Sequence, residues 1–189
     1  MKKNNDRKVI IFGASGAIGK ALIDWFISNN FFVYAFSRNT QNKKNNNSIE
    51  WLNLNSEDYL LFEKLEDSSI NSVVWAQGEN LNDNIYSFNV DKFRKTIESN
   101  VSFILVTLHE LLNKKKLKND AKLCIISSIW QKLAKQDKLS YTVSKSALQG
   151  AVMSLAVDLG KTGMMINAVL PGAIDTPMTL KNLNENQIK

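Results

Sequence analysis

Two kinds of segment alternate along the chain: short runs in which nearly every residue is apolar, and longer stretches in which apolar residues recur every three or four positions. Residues 8–12 (KVIIF), 31–36, 72–76, 122–127 (KLCIIS) and 165–170 are of the first kind, 49–54 is a weaker example, and each predicts a β-strand. Residues 20–27 (KALIDWFI), 57–66, 90–112 and 141–159 are of the second kind and predict helices. Runs without polar alternation suit strands covered on both faces, and strands alternating with helices build a parallel sheet. The pattern therefore predicts an α/β fold, a three-layer doubly wound parallel sheet. Residues 39–48, rich in asparagine and lysine, predict an exposed loop.

A length of 189 residues with 44% hydrophobic content suits one domain with a sizeable core. No apolar run approaches the roughly 20 residues needed to cross a bilayer, and residues 1–8 are polar and charged. Neither membrane insertion nor secretion is expected, and a cytoplasmic location is. The single cysteine, Cys124, lies in an apolar run, has no partner for an internal disulfide or a metal site, and is expected to be a buried structural thiol. The net charge of +6 falls largely in polar stretches such as Lys2, Lys3, Lys43, Lys44 and residues 114–116, which read as solvated surface. With no zinc-finger spacing or recognition-helix signature, a nucleic-acid partner is not expected. An anionic cofactor would account for part of the positive potential.

Ligands of doubly wound sheets bind beyond the carboxyl ends of the strands. Gly13, Arg38, Gly78, Ser128 and Pro171-Gly172 each follow a predicted strand. Gly13, Gly16 and Gly19 stand in the first strand-to-helix turn with Ser15 and Ile18, where absent side chains let backbone N–H groups and a helix N-terminus approach a pyrophosphate. A turn that needs glycine only for its backbone angles has the same appearance. After the second strand, where an acidic residue would bind the ribose hydroxyls of NAD, stands Ser37-Arg38, and an arginine there favours the 2′-phosphate of NADP. Asn53, after the third strand, suits either an adenine edge or a turn. Tyr141 and Lys145 share a helix face at i, i+4, so an ammonium can favour the phenolate and tune it for proton exchange. Such spacing also arises by chance, and the pair gains weight from Ser128, which can reach the same mouth of the sheet. Asn100, inside the long helix 90–112, needs partners or a water, with Lys145 a candidate at the far end of that network; a local helix irregularity is the alternative.

Together these residues resemble the short-chain dehydrogenase/reductase family over residues 8–178 or so. The resemblance implies a Rossmann fold in which Tyr141 is the general acid/base, Lys145 lowers its pKa and holds the nicotinamide ribose, Ser128 positions the substrate oxygen, and Asn100 supports a proton-relay water. It places Gly13, Ser15, Ile18 and Gly19 on the cofactor loop. Pro171, Gly172, Ile174 and Thr176 match the segment that meets the nicotinamide carboxamide. Phe12 departs from the family's usual threonine, Ala17 from a frequent glycine, and Trp75-Ala76-Gln77-Gly78 from Asn-Asn-Ala-Gly. Relatives usually continue through a substrate-covering segment, a helix and a seventh strand, so the chain is expected to be C-terminally shortened. The implied activity is metal-free, reversible hydride transfer between NADP(H), or alternatively NAD(H), and a ketone or secondary alcohol, in a homo-oligomer, dimer or tetramer. The alternative is a catalytically inactive nucleotide-binding regulatory or scaffold protein of the same fold.

Overall fold

Successive side chains of a strand point to opposite faces, so a strand covered on both sides must be apolar at every position. In the computed structural model, which describes residues 6–54 and 59–175, all six apolar runs fall in strands, the central ones covered on both faces and the edge strand of residues 165–169 partly exposed. They are β1 (Arg7–Phe12), β2 (Phe31–Ser37), β3 (Ile49–Asn53), β4 (Ile70–Trp75), β5 (Leu117–Ile126) and β6 (Met165–Val169). Every neighbouring pair is parallel, in the order β3-β2-β1-β4-β5-β6. The winding direction reverses between β1 and β4, which opens a crevice at their carboxyl ends.

The helices are α1 (Ala17–Ser28), α2 (Val90–Ile97), α3 (Phe103–Asn113) and α4 (Leu139–Gly160). Ile10, Phe12, Val73, Trp75, Leu123 and Ile125 pack on one face of the sheet against Ile104, Leu108 and Leu111 of α3 and Leu148 and Leu159 of α4. Val9, Ile11, Val33, Ala35 and Val74 pack on the other face against Ile23 of α1. Among the described residues no helix is long and apolar enough to cross a membrane.

Three expectations need correction. Of the helix expected at 57–66, the described part is a 3₁₀ turn, Tyr59–Lys64. Phe62 is fully buried in it with Leu65 just beyond, and the tighter turn stacks 59, 62 and 65 on one edge. The single helix expected at 90–112 is broken by a π turn, Glu98–Ser102. Lys116 is buried rather than solvated: its Nζ donates to Leu65 O at 2.8 Å and to Asp67 Oδ1 at 2.5 Å. Cys124 is half-buried in β5, and burial pushes its thiol pKa up. The asparagine-rich loop is organised by its own side chains, with Asn39 Oδ1 accepting from Gln41 N at 2.9 Å and Asn46 Oδ1 from Ser48 N at 2.8 Å.

The departures at Phe12 and Trp75 explain one another. Their rings stack at 5.9 Å and 18°, with Phe36 and Phe103 closing around Phe12. Trp75 Nε1 donates to Thr107 Oγ1 at 2.9 Å, so the indole is satisfied inside the core. Thr107→Val should leave that N–H unpaired and lower the unfolding free energy by about 1–3 kcal/mol in urea titrations, whereas Thr107→Ser, which keeps the acceptor, should lose clearly less.

Candidate active site

At the head of α1 the backbone of one segment lies directly on another. Gly13 has φ +74°, and a Cβ there would stand 2.6 Å from Gln77 N and 2.7 Å from Ala76 C. A Cβ on Gly19 would stand 2.3 Å from Gly13 O and 2.8 Å from Ala14 Cα. Gly16 is the N-cap of α1; no side chain caps this end, and its first turn carries no acidic residue. Ser15, Gly16 and Ala17 are exposed and Ile18 is half-buried. A helix N-terminus so exposed, lined by glycines, suits a pyrophosphate. The side-chain amide of Gln77 points the same way: both its N and O are buried and have no partner among the described residues.

At the end of β2, Ser37 is buried and its Oγ lies 2.8 Å from Ser15 Oγ, tying the strand to the glycine turn. Arg38 is exposed and reaches Glu79 Oε1 at 3.7 Å. Asn53, exposed at the end of β3, is in register with Ser37. After β6, the carbonyl of Pro171 accepts from Ile129 N at 3.0 Å, which brings Pro171 and Gly172 beside Ser128. Gly172 and Ile174 are exposed, and Thr176 lies outside the described residues.

Asn100 sits in the π turn and is 1% exposed. Its Oδ1 accepts from Glu79 N at 2.7 Å, and its Nδ2 donates to Glu79 O and to Ser144 Oγ, both at 2.9 Å. The amide thus pairs with the segment after β4 as a strand would, and the widened turn brings the helix wall to it. Gly78 keeps open the space between Asn100 and Lys145. A Cβ on Gly78 would stand 3.2 Å from Asn100 Oδ1 and 3.6 Å from Lys145 Nζ.

Lys145, 4% exposed, donates to Ile126 O at 3.2 Å and stands 5.7 Å from the ring centroid of Tyr141. Burial pushes its pKa down to about 8. Burial also raises the phenol of Tyr141 above its ordinary value, opposed by a hydrogen bond with Ser128. A phenol lowered by the ammonium was the expectation; the raised value follows from desolvation of the tyrosine itself. Ser128 is buried and receives Trp130 N at 3.4 Å. His109 pairs with Asn113 on its own helix, at 2.8 Å.

A clamp that the sequence pattern does not announce joins the segment after β4 to the start of α4. Asp83 accepts from Ser140 N at 2.9 Å and from Ser140 Oγ, and Lys138 Nζ donates to Asn80 Oδ1 at 2.7 Å and to Asn82 Oδ1. Its one signal is a lysine at the head of a helix, where a cation is disfavoured.

Residues 62–189 match the family described as Enoyl-(Acyl carrier protein) reductase. An uncharacterized oxidoreductase of Staphylococcus epidermidis is 24% identical over 192 residues, which cover 95% of this chain and 83% of that protein. The L-rhamnose 1-dehydrogenase (NADP(+)) of Thermoplasma acidophilum is 31% identical over 106 residues, 56% of this chain and 42% of that protein. A short chain dehydrogenase family protein from Francisella tularensis superposes with a TM-score of 0.83 at 22% identity, covering 92% of this chain and 72% of that one. The family match, over more than half of the chain, accords with the parallel sheet and the placement of Ser128, Tyr141 and Lys145: the chain belongs to the short-chain dehydrogenase/reductase family of oxidoreductases.

Proposed function

We propose that this oxidoreductase transfers hydride reversibly between NADP(H) and a small ketone or secondary alcohol. The observation that carries the reading is the convergence of Ser128, Tyr141 and Lys145 at the carboxyl end of β5, beside a glycine turn whose backbone contacts leave no room for side chains. Gly13, Ser15, Gly16, Ile18 and Gly19 would hold the pyrophosphate, Ser37 and Arg38 the adenosine ribose and its 2′-phosphate, and Asn53 the adenine edge. Gly78, Tyr141 and Lys145 would flank the nicotinamide ribose, with Pro171, Gly172, Ile174 and Thr176 at the carboxamide. The bound nicotinamide would supply or accept the hydride.

The remaining work belongs to the chain. Ser128 and Tyr141 hold the substrate oxygen by two hydroxyl hydrogen bonds, and Tyr141 gives it a proton in reduction or takes one in oxidation. Its raised pKa keeps the phenol protonated at neutral pH, as reduction requires. Lys145, largely an ammonium below its pKa of about 8, stabilises the phenolate left after proton donation. Asn100 fixes Glu79 and Ser144, and so the walls on either side of Lys145. The same reading takes the chain as a dimer or tetramer, supported by exposed Met153 and Val157 on α4 and Leu105 and Val106 on α3.

NADP is preferred to NAD on account of Arg38, and the name of the Thermoplasma relative agrees. The Arg38–Glu79 pair is no obstacle, since so exposed an ion pair is worth at most about 1 kcal/mol. Arg38→Asp should weaken NADPH binding roughly tenfold or more, the size of one charge-assisted hydrogen bond, and leave NADH binding nearly unchanged. Fluorescence titration with both nucleotides decides it, and equal loss for the two would remove the preference.

A further inference from the structure

Lys138 immediately precedes α4, where the helix dipole disfavours a cation, yet it is only 4% exposed. Burial pushes its ammonium pKa down; Lys135 adds to the shift and Asp83 opposes it. Lysines at such depth are ordinarily matched by a carboxylate bonded directly to them. Here the acceptors on Nζ are the amide oxygens of Asn80 and Asn82, which satisfy the hydrogens without cancelling the charge. The carboxylate of Asp83 is bound instead by the backbone N–H and hydroxyl of Ser140.

The position of this ammonium gives the arrangement a use. Lys138 Nζ lies 5.9 Å from the ring centroid of Tyr141, about as close as Lys145 Nζ at 5.7 Å. The charged groups beside the ring are therefore Lys145 on α4 and Lys138 at its head, and Lys138 in turn feels Lys135 on the approach to α4 and Asp83 from the segment after β4. Asn80 and Asn82 belong to the same segment as Gly78 and Glu79, which border Lys145 and Asn100. One side chain thus connects the loop that shapes the site with the first turn of the helix that carries Tyr141.

We infer that Lys138 is a second positioning residue of the proton-transfer site, an ammonium that acts with Lys145 to stabilise the Tyr141 phenolate while it pins residues 80–82 to the head of α4. The inference rests on the reading of Tyr141 as the proton-exchanging group. A unit charge about 6 Å from the ring centre, with the phenolate charge shared between oxygen and ring, in a medium of effective dielectric about 20 to 40, displaces a titration by up to about one to two pH units.

The test reads Tyr141 directly and needs no substrate. The intact chain is titrated with alkali while its ultraviolet tyrosinate absorbance is followed, and the same titration of Tyr141→Phe is subtracted, isolating Tyr141 among the four tyrosines. Lys138→Gln, which keeps a donor for Asn80 but removes the charge, should raise the Tyr141 midpoint by part of that displacement, because burial lowers the Lys138 pKa and its ammonium is partly lost before the phenol ionises. Lys138→Arg should hold it close to the unsubstituted chain. A folded Lys138→Gln with an unmoved midpoint overturns the inference and leaves Lys138 a structural pin. Should Lys138→Gln fail to fold, Asn80→Asp sets a carboxylate on the ammonium without changing the packing, and its midpoint must likewise rise; an unmoved midpoint there overturns the inference as well. Failure in these titrations leaves the role of Tyr141 standing, whereas full turnover by Tyr141→Phe removes that role whatever Lys138 does.

Discussion

Tyr141→Phe is expected to lower turnover by a factor on the order of 10³, with dinucleotide affinity nearly unchanged. The substitution deletes one oxygen and keeps the ring that lies beside the ammoniums of Lys138 and Lys145. Ser128 can still hold a substrate carbonyl, but no group remains at that point to exchange its proton. In the unsubstituted chain the phenol stays protonated into alkaline pH, but reduction should fall as pH rises through about 8, where Lys145 loses the ammonium that stabilises the phenolate. Parallel measurement of kcat and of nucleotide affinity checks the split. A variant that lost affinity and turnover together would show that the tyrosine serves binding instead.

Gly19→Ala should have the largest effect on the fold and on the cofactor site together. The new methyl would lie 2.3 Å from Gly13 O and 2.8 Å from Ala14 Cα. Both are backbone atoms of the turn itself, so relief requires α1 to move away from β1. A loss of about 3 kcal/mol in unfolding free energy is expected, with dinucleotide binding too weak to detect by fluorescence. Gly150→Ala is the control: nothing lies within 4 Å of its added Cβ, and the change in mid-helix should be neutral or stabilising by up to about 1 kcal/mol. Urea titration of the two variants separates a steric requirement at Gly19 from a general effect of losing glycine. If Gly19→Ala bound nucleotide normally, the close backbone contact would have no bearing on the cofactor.

Much of the fold was legible because the strands of a covered parallel sheet have to be apolar throughout, as in KVIIF and KLCIIS, and few other elements of that length are. The 3₁₀ turn at Tyr59–Lys64 was not legible, since Tyr59, Phe62 and Leu65 fall at a spacing that a helix shares. The π turn was legible only as the alternative reading of Asn100, a local helix irregularity, because the apolar positions on either side keep their rhythm; the interruption comes from hydrogen bonds to Glu79, distant in sequence. Of the site, the glycine turn and Ser128, Tyr141 and Lys145 stood out because each follows a strand or shares a helix face. Lys116 and Lys138 did not. Both belong to lysine-bearing polar stretches that look solvated, and only the folded chain places their ammonium groups against Leu65 O and the side chains of Asn80 and Asn82.

The central claim is hydride transfer with Tyr141 as proton donor, and NADPH deuterated at the transferring carbon of the nicotinamide tests it most directly. The intact chain is supplied with this nucleotide and a panel of ketones, NADPH absorbance is followed, and the alcohols are analysed by mass spectrometry. The account predicts consumption of NADPH with one ketone or more, one deuterium on the carbinol carbon, and loss of both signals in Tyr141→Phe. Tight NADPH binding with no oxidation across the panel, or an alcohol carrying no deuterium, would contradict it and favour a nucleotide-binding protein without turnover.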